Sequence, residues 1–230
     1  MSKICIIPAR GGSKRIPRKN IKIFLGKPII AYSIQAAIKS NLFDVVMVST
    51  DDFEIAEIAK SYGASVPFMR SKENSDDYSG TFDVIKEVLE SYKKEGVYFN
   101  QACCIYPTAP FVTAQKLKEA LSVLSKKKID SVFPVIRFGY PIQRGLIVDE
   151  NKRIKMREPK YLSSRSQDLE PVFQDAGQFY FFEIKKILKQ RSLWTNNTGF
   201  IEINELEGQD IDNEMDWKLA ELKYNLNLDA

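Results

Sequence analysis

A chain of 230 residues, 44% hydrophobic and 28% charged, is long and apolar enough to bury a sizeable core, which excludes a disordered segment. The formal net charge of +4 is mild, yet Arg10, Lys14, Arg15, Arg18, Lys19 and Lys22 crowd together with no acid among them, so that stretch needs an anionic partner or a solvated face. Histidine is absent, which excludes a Ser-His-Asp triad, a histidine general base and a His-liganded metal, and leaves carboxylates, cations, backbone amides and a hard metal ion.

In chain order, the β-branched run Lys3–Ile7, ending at Pro8, predicts a buried strand. A glycine-rich basic loop follows to about Ile23. Apolar residues at Ile30, Ile34, Ala37 and Ile38 predict a helix over Ile29–Ser40. Val45–Ser49 predicts a strand running into Thr50-Asp51-Asp52, and Glu54–Tyr62 a helix stopped by Gly63. Phe82–Tyr92 is amphipathic, Ala102–Tyr106 is a strand ending at Pro107, Thr113–Lys126 is helical and Ser131–Val135 is strand. From Ile136 to about Asp175 the rhythm breaks: Asp149-Glu150-Asn151 is a turn between two short strands, and no long amphipathic helix is present. Gly177–Glu183 resumes as strand, and Asp216–Tyr224 closes the chain as a helix.

Short apolar strands alternating with amphipathic helices imply an α/β fold with a mainly parallel sheet flanked by helices. The expected organisation is one domain over 1–230, with 136–175 as an arm or lid that contacts a second subunit. Ligands bind outside the carboxyl ends of such strands, so the loops after Ile7, Ser49 and Tyr106 should share one edge. Three cysteines without a disulfide pattern, and no apolar run of signal-peptide or transmembrane length, point to the cytoplasm and away from a membrane.

Chemistry concentrates first in IPARGGSKRIPRKN, residues 7–20. Gly11 and Gly12 allow close backbone approach, and exposed N–H groups with cationic side chains suit a triphosphate. The terminal Gly-Lys-Ser/Thr of a Walker A loop and the third glycine of a dinucleotide fingerprint are both missing. A bare basic run is more often a solvated surface; its position after the first strand of an α/β sheet reverses that reading.

IPARGGSKRIPRKNIKIFLGKPIIAYSI closely resembles the opening of the acylneuraminate cytidylyltransferase family, the CMP-sialic acid synthetases and their relatives, and the resemblance continues through VMVSTDD, YPTAPFVT and DIDNEMDW. It implies a Rossmann-like nucleotidyltransferase fold, CTP and an acidic nine-carbon sugar as substrates, and a homodimer. It also implies that Arg10, Lys19 and Asn20 hold the nucleotide phosphates together with Gly11, Gly12, Ser13 and Lys14. On the cytosine side the matching positions are Arg70, Ser79 and Thr81. Tyr106 stands where many sialic acid enzymes carry glutamine.

Asp210-Ile211-Asp212 is the second signal. At spacing two on an extended segment both carboxylates point the same way, which suits Mg²⁺. Asp212 can equally be the N-cap of the closing helix; in the family the matching pair binds the catalytic metal. The third signal is SRSQDLEPVFQDAGQFYF, residues 164–181. Here Arg165 matches the first of two carboxylate-binding arginines, Gln174 replaces the second, and Gln178 is a further neutral donor. FQDAGQFYF resembles the pseudaminic acid branch; legionaminic, neuraminic and 3-deoxy-manno-octulosonic acids are the alternatives. A non-catalytic RNA-binding module would interleave aromatics with the cations; residues 10–22 contain none, so no nucleic-acid partner is expected.

Overall fold

The structure, a computed structural model, describes residues 2–76 and 79–228. In chain order it contains β1 (Lys3–Pro8), the short hairpin β2 (Ile23–Phe24) and β3 (Lys27–Pro28), α1 (Ile30–Ser40), β4 (Val45–Ser49), α2 (Phe53–Ser61), α3 (Thr81–Lys94), β5 (Gln101–Ile105), α4 (Ala114–Lys127) and β6 (Ser131–Arg137). There follow β7 (Leu146–Val148), β8 (Ile154–Met156), β9 (Phe173–Asp175), β10 (Phe179–Glu183), α5 (Ile184–Gln190), β11 (Thr198–Ile203) and α6 (Glu214–Leu228).

The main sheet runs β11-β6-β10-β5-β1-β4, with β9 also paired to β6. β1 is parallel to β4 and β5, and β11 is parallel to β6, whereas β10 is antiparallel to both β5 and β6. Five strands therefore point one way, while β10, inserted among them, and the short β9 run against them, so the sheet is mainly parallel. Both faces are covered, which is why its strands read as nearly continuous apolar runs. On one face Ile30, Ile34, Leu117 and Leu124, from α1 and α4, pack on Cys5, Ile7, Cys103 and Val132. On the other, Ile85, Val88 and Ile187, from α3 and α5, pack on Ile4, Ile6, Cys104 and Phe182. A third cluster lets α6 sit on the β2–β3 hairpin: Phe24 meets the rings of Tyr32, Trp217 and Tyr224 edge-on.

Local chemistry sets the helix ends. Asp52 caps α2 by accepting from the Ile55 N–H at 3.0 Å, and Thr113 caps α4 by accepting from the Lys116 N–H at 3.2 Å. Gly63, at φ +93°, ends the turn after α2. The excursion after β6 carries a two-stranded hairpin, β7 against β8, whose turn is held by Asp149 accepting from the Asn151 and Arg153 amides. It is shorter than the expected 136–175, because Ile136 and Arg137 belong to β6 and Phe173–Asp175 is β9 of the main sheet. All three cysteines are buried thiols, and desolvation raises their pKa values, that of Cys104 to about 12.

Candidate active site

Because β1, β4 and β5 run parallel in register, the loops after Pro8, Ser49 and Ile105 emerge on one edge of the sheet. The first and third of these loops enclose a polar cleft of about 200 Å³. Arg10, Ser13, Lys14, Lys19, Asn20 and Tyr106 line it together, with Arg15, Pro107 and Thr108. The loop holds its own shape: Asn20 donates to the Arg10 carbonyl at 2.9 Å, and Arg10 Nη1 donates to the Asp76 carbonyl at 2.8 Å.

The basic cluster is divided between two jobs. Arg18 adopts a left-handed backbone and binds Asp52 at 2.5 and 3.0 Å and Glu54 at 2.5 Å, which staples the loop to the start of α2. Lys22 pairs with Glu214 at 2.7 Å and lies 4.6 Å from the Trp217 ring centre, which staples it to α6. Arg10, Lys14, Arg15 and Lys19 remain at the cleft. Gly11 is required for close approach, because a Cβ there would stand 2.7 Å from Asp52 Oδ2. Its N–H donates to Asp51 Oδ1 at 2.9 Å. A Cβ at Gly12 would meet nothing within 4 Å.

The acidic pair reaches this cleft from the far end of the chain. Asp212 Oδ1 lies 2.7 Å from Arg15 Nη2 and 3.9 Å from Lys19 Nζ, and Lys19 donates to the Ile211 carbonyl at 2.6 Å. Desolvation lowers the Lys19 pKa against the opposing pull of Asp212 and Asp210. Loss of solvent around Asp210, and then the neighbouring charge of Asp212, raise the Asp210 pKa, while Lys19 holds it down. Gly177, at φ +61°, sits against Asp210, with its Cβ position 3.7 Å from Asp210 Cγ. The helix cap is not Asp212. Asn213 Oδ1 accepts from the Met215 and Asp216 amides, while Asp216 Oδ2 accepts from the Asp212 and Asn213 amides. Two carboxylates crowded by each other's charge are what a hard cation relieves. Two are enough for Mg²⁺, which keeps water and phosphate oxygens as its other ligands. Among the described residues no group of three or more His, Cys, Asp or Glu side chains comes together as a metal cage.

On the remaining side of this edge, Arg70 is buried, donating to Ser49 Oγ at 3.1 Å and to the Ser49 carbonyl at 2.5 Å, so it is no surface cation. Desolvation lowers its pKa, and Asp51 and Glu87 oppose that shift. Ser79 is tied to Asp76 and to the Glu73 carbonyl, and Thr81 Oγ1 lies 3.4 Å from the Tyr106 hydroxyl. Tyr106 packs edge-on against Tyr180, whose hydroxyl donates to Asp175.

Residues 4–211 match the cytidylyltransferase family. The chain is 41% identical to the pseudaminic acid cytidylyltransferase of Campylobacter jejuni subsp. jejuni, over 99% of this chain and 98% of that one. The chain belongs to the cytidylyltransferase family. It is also 31% identical to the CMP-N,N'-diacetyllegionaminic acid synthase of Legionella pneumophila, over 100% and 99% of the two chains. A solved structure of CMP:2-keto-3-deoxy-manno-octonic acid synthetase complexed with CTP covers both chains completely, with a TM-score of 0.70 at 15% identity, which speaks for a shared fold.

For this cytidylyltransferase the three expected sugar-side residues have different surroundings. Arg165 is exposed on the arm and pairs with Asp168 at 2.8 Å. Gln174 is exposed on β9, opposite Ile136 of β6. Gln178 is 1% exposed; its Nε2 donates to the Glu207 carbonyl at 2.6 Å, and its Oε1 is buried with no partner. Sequence reasoning missed Arg15, Asp175 and Tyr180. Arg15 lies inside the basic motif, and Asp175 and Tyr180 lie inside FQDAGQFYF, but nothing in either string shows that the tyrosine donates to the aspartate.

Proposed function

We propose that this cytidylyltransferase transfers CMP from CTP to an acidic nonulosonic sugar, with pseudaminic acid the preferred acceptor, and releases pyrophosphate. The observation that carries this reading is the near-full-length similarity to pseudaminic acid cytidylyltransferase. The sugar's anomeric hydroxyl attacks the α-phosphorus of CTP, the bond to the bridging oxygen breaks, pyrophosphate departs with the electron pair, and the hydroxyl proton passes to solvent.

Such a transfer depends on positioning and charge neutralisation. Arg10, Lys14 and Lys19 neutralise the β- and γ-phosphates and so stabilise the leaving group. Ser13 and Asn20 fix the loop and the phosphate oxygens; Arg70, Ser79, Thr81 and Tyr106 form the base side. Asp210 and Asp212 would hold Mg²⁺, which supplies Lewis-acid charge at the α-phosphate. In the free protein Arg15 occupies Asp212 at 2.7 Å; with substrate present it turns to the phosphates. Arg165, Gln174 and Gln178 serve the sugar side, Gln178 from beneath, by holding the Glu207 carbonyl.

The enzyme works in the cytoplasm as a homodimer, with no nucleic-acid or membrane partner. Among the described residues no helix is long and apolar enough to cross a membrane. Support for a dimer comes from the arm, where Tyr140, Leu146, Val148, Ile154 and Leu162 are each more than 60% exposed. Incubation with CTP, pseudaminic acid and magnesium should give the CMP-sugar by mass spectrometry with equimolar pyrophosphate. Pyrophosphate released without CMP-sugar, or no turnover of any nonulosonic acid, would remove the assignment.

A further inference from the structure

Between α1, α4 and α6 lies a second cleft, of about 450 Å³, which shares no lining residue with the nucleotide cleft. Its size is that of a small-molecule site. Three ammonium groups line it, from Lys27, Lys39 and Lys116, against one carboxylate, Glu207. That carboxylate is taken: Lys116 lies 3.1 Å from Glu207 Oε1, and the other oxygen accepts from the Asn204 N–H at 3.0 Å. Among the described residues neither Lys27 nor Lys39 is paired with an acid. Lys27 Nζ has only the neutral Gln35 Oε1 at 2.5 Å and the Tyr32 ring, 4.0 Å from its centre. Desolvation, and then the like charge of Lys39, lower the Lys27 pKa. Neighbouring ammonium groups at the mouth of an apolar cleft repel each other, and an anion between them removes that cost.

We propose that this cleft is a second ligand site, taking a small organic anion whose phosphate or carboxylate sits between Lys27 and Lys39. Its apolar or aromatic body lies along Tyr32, Phe111 and Tyr224. The proposal goes beyond the transfer reaction and does not depend on which sugar is used. One stretch of chain serves both clefts, since Tyr106–Thr108 lines the nucleotide cleft and Pro110–Ala114 lines this one. Through Lys116 the second cleft also touches Glu207, shortly before the Asp210–Asp212 pair.

The test is calorimetric titration with phenyl phosphate, and in parallel with phenylacetate, in saturating CTP and without sugar, so that the nucleotide cleft is filled. The expected result is one site per chain for at least one probe, weakened at least tenfold in the double variant Lys27→Ala/Lys39→Ala. Whichever probe binds tighter identifies phosphate or carboxylate as the preferred group. Unchanged CTP affinity in the variant reports an intact fold. Equal probe affinity in wild type and variant, no binding of either probe, or binding that vanishes when CTP is present would each overturn the proposal.

Discussion

Asn213, by taking the cap of α6 with Asp216 as its reciprocal partner, leaves the Asp212 carboxylate free to face Arg15 and Lys19. Asp212→Asn should therefore leave the melting temperature nearly unchanged. Turnover should fall about a hundredfold or more, since even outer-shell partners of a metal ligand are worth about 10–100-fold. Circular dichroism melting and pyrophosphate release measure the two effects separately. A large loss of stability would return Asp212 to a capping role. A second residue-scale outcome concerns pH. The hydrogen bond from Arg18 is the main cause that lowers the Asp52 pKa. A lowered folded-state pKa gives stability that is present above the unfolded value of about 4 and lost as pH falls through the folded one. Asp52→Asn should thus melt lower than wild type at pH 7, and the two melting temperatures should converge as pH falls below about 4. Parallel curves across that range would contradict the ion pair's part in stapling the loop.

At the scale of elements, the segment that brings Asp210 to the cleft is braced from four sides. Asn204 and Glu207 form a capping box, Lys116 pairs with Glu207, Gln178 Nε2 donates to the Glu207 carbonyl, and Lys223 Nζ donates to the Gly208 carbonyl at 3.0 Å. Lys116→Met should raise the magnesium concentration for half-maximal turnover several-fold while CTP affinity holds, with recovery in Lys116→Arg. The magnitude follows the about tenfold effects of other groups that orient metal ligands. A fall in stability with an unchanged magnesium profile would make Lys116 merely structural. Little of this brace was legible in the sequence, because its partners are far apart along the chain. The elements were more legible: Lys3–Pro8, Val45–Ser49 and Gln101–Ile105 are apolar on both faces and bounded by turn residues. β11 was missed because Phe200 and Glu202 face outward from the sheet edge, which breaks the apolar run. α5 was missed because seven residues are too few to show a helical period. An apolar run does not encode strand direction, so the reversal of β10 could only be seen in the register.

For the whole molecule, the arm and the sugar remain to be tested. Leu146 and Val148 of β7 are 62% and 69% exposed, so charges there cost a lone chain little. Light scattering at micromolar concentration should give a dimer for wild type and a monomer for Leu146→Glu/Val148→Glu; a monomeric wild type would remove the arm from any interface. The cation-rich opening and the D-I-D pair were both legible as motifs in the sequence, and the fold sets them side by side. The sugar half was less legible, because a missing arginine does not state what replaces its contact. The central claim rests on the acceptor. Comparing kcat/KM for pseudaminic acid with that for N-acetylneuraminic acid, by pyrophosphate release at saturating CTP and magnesium, tests it most directly. At least tenfold preference for pseudaminic acid is expected, about 1.4 kcal/mol of differential transition-state binding; equal use of both sugars, or preference for N-acetylneuraminic acid, would contradict it.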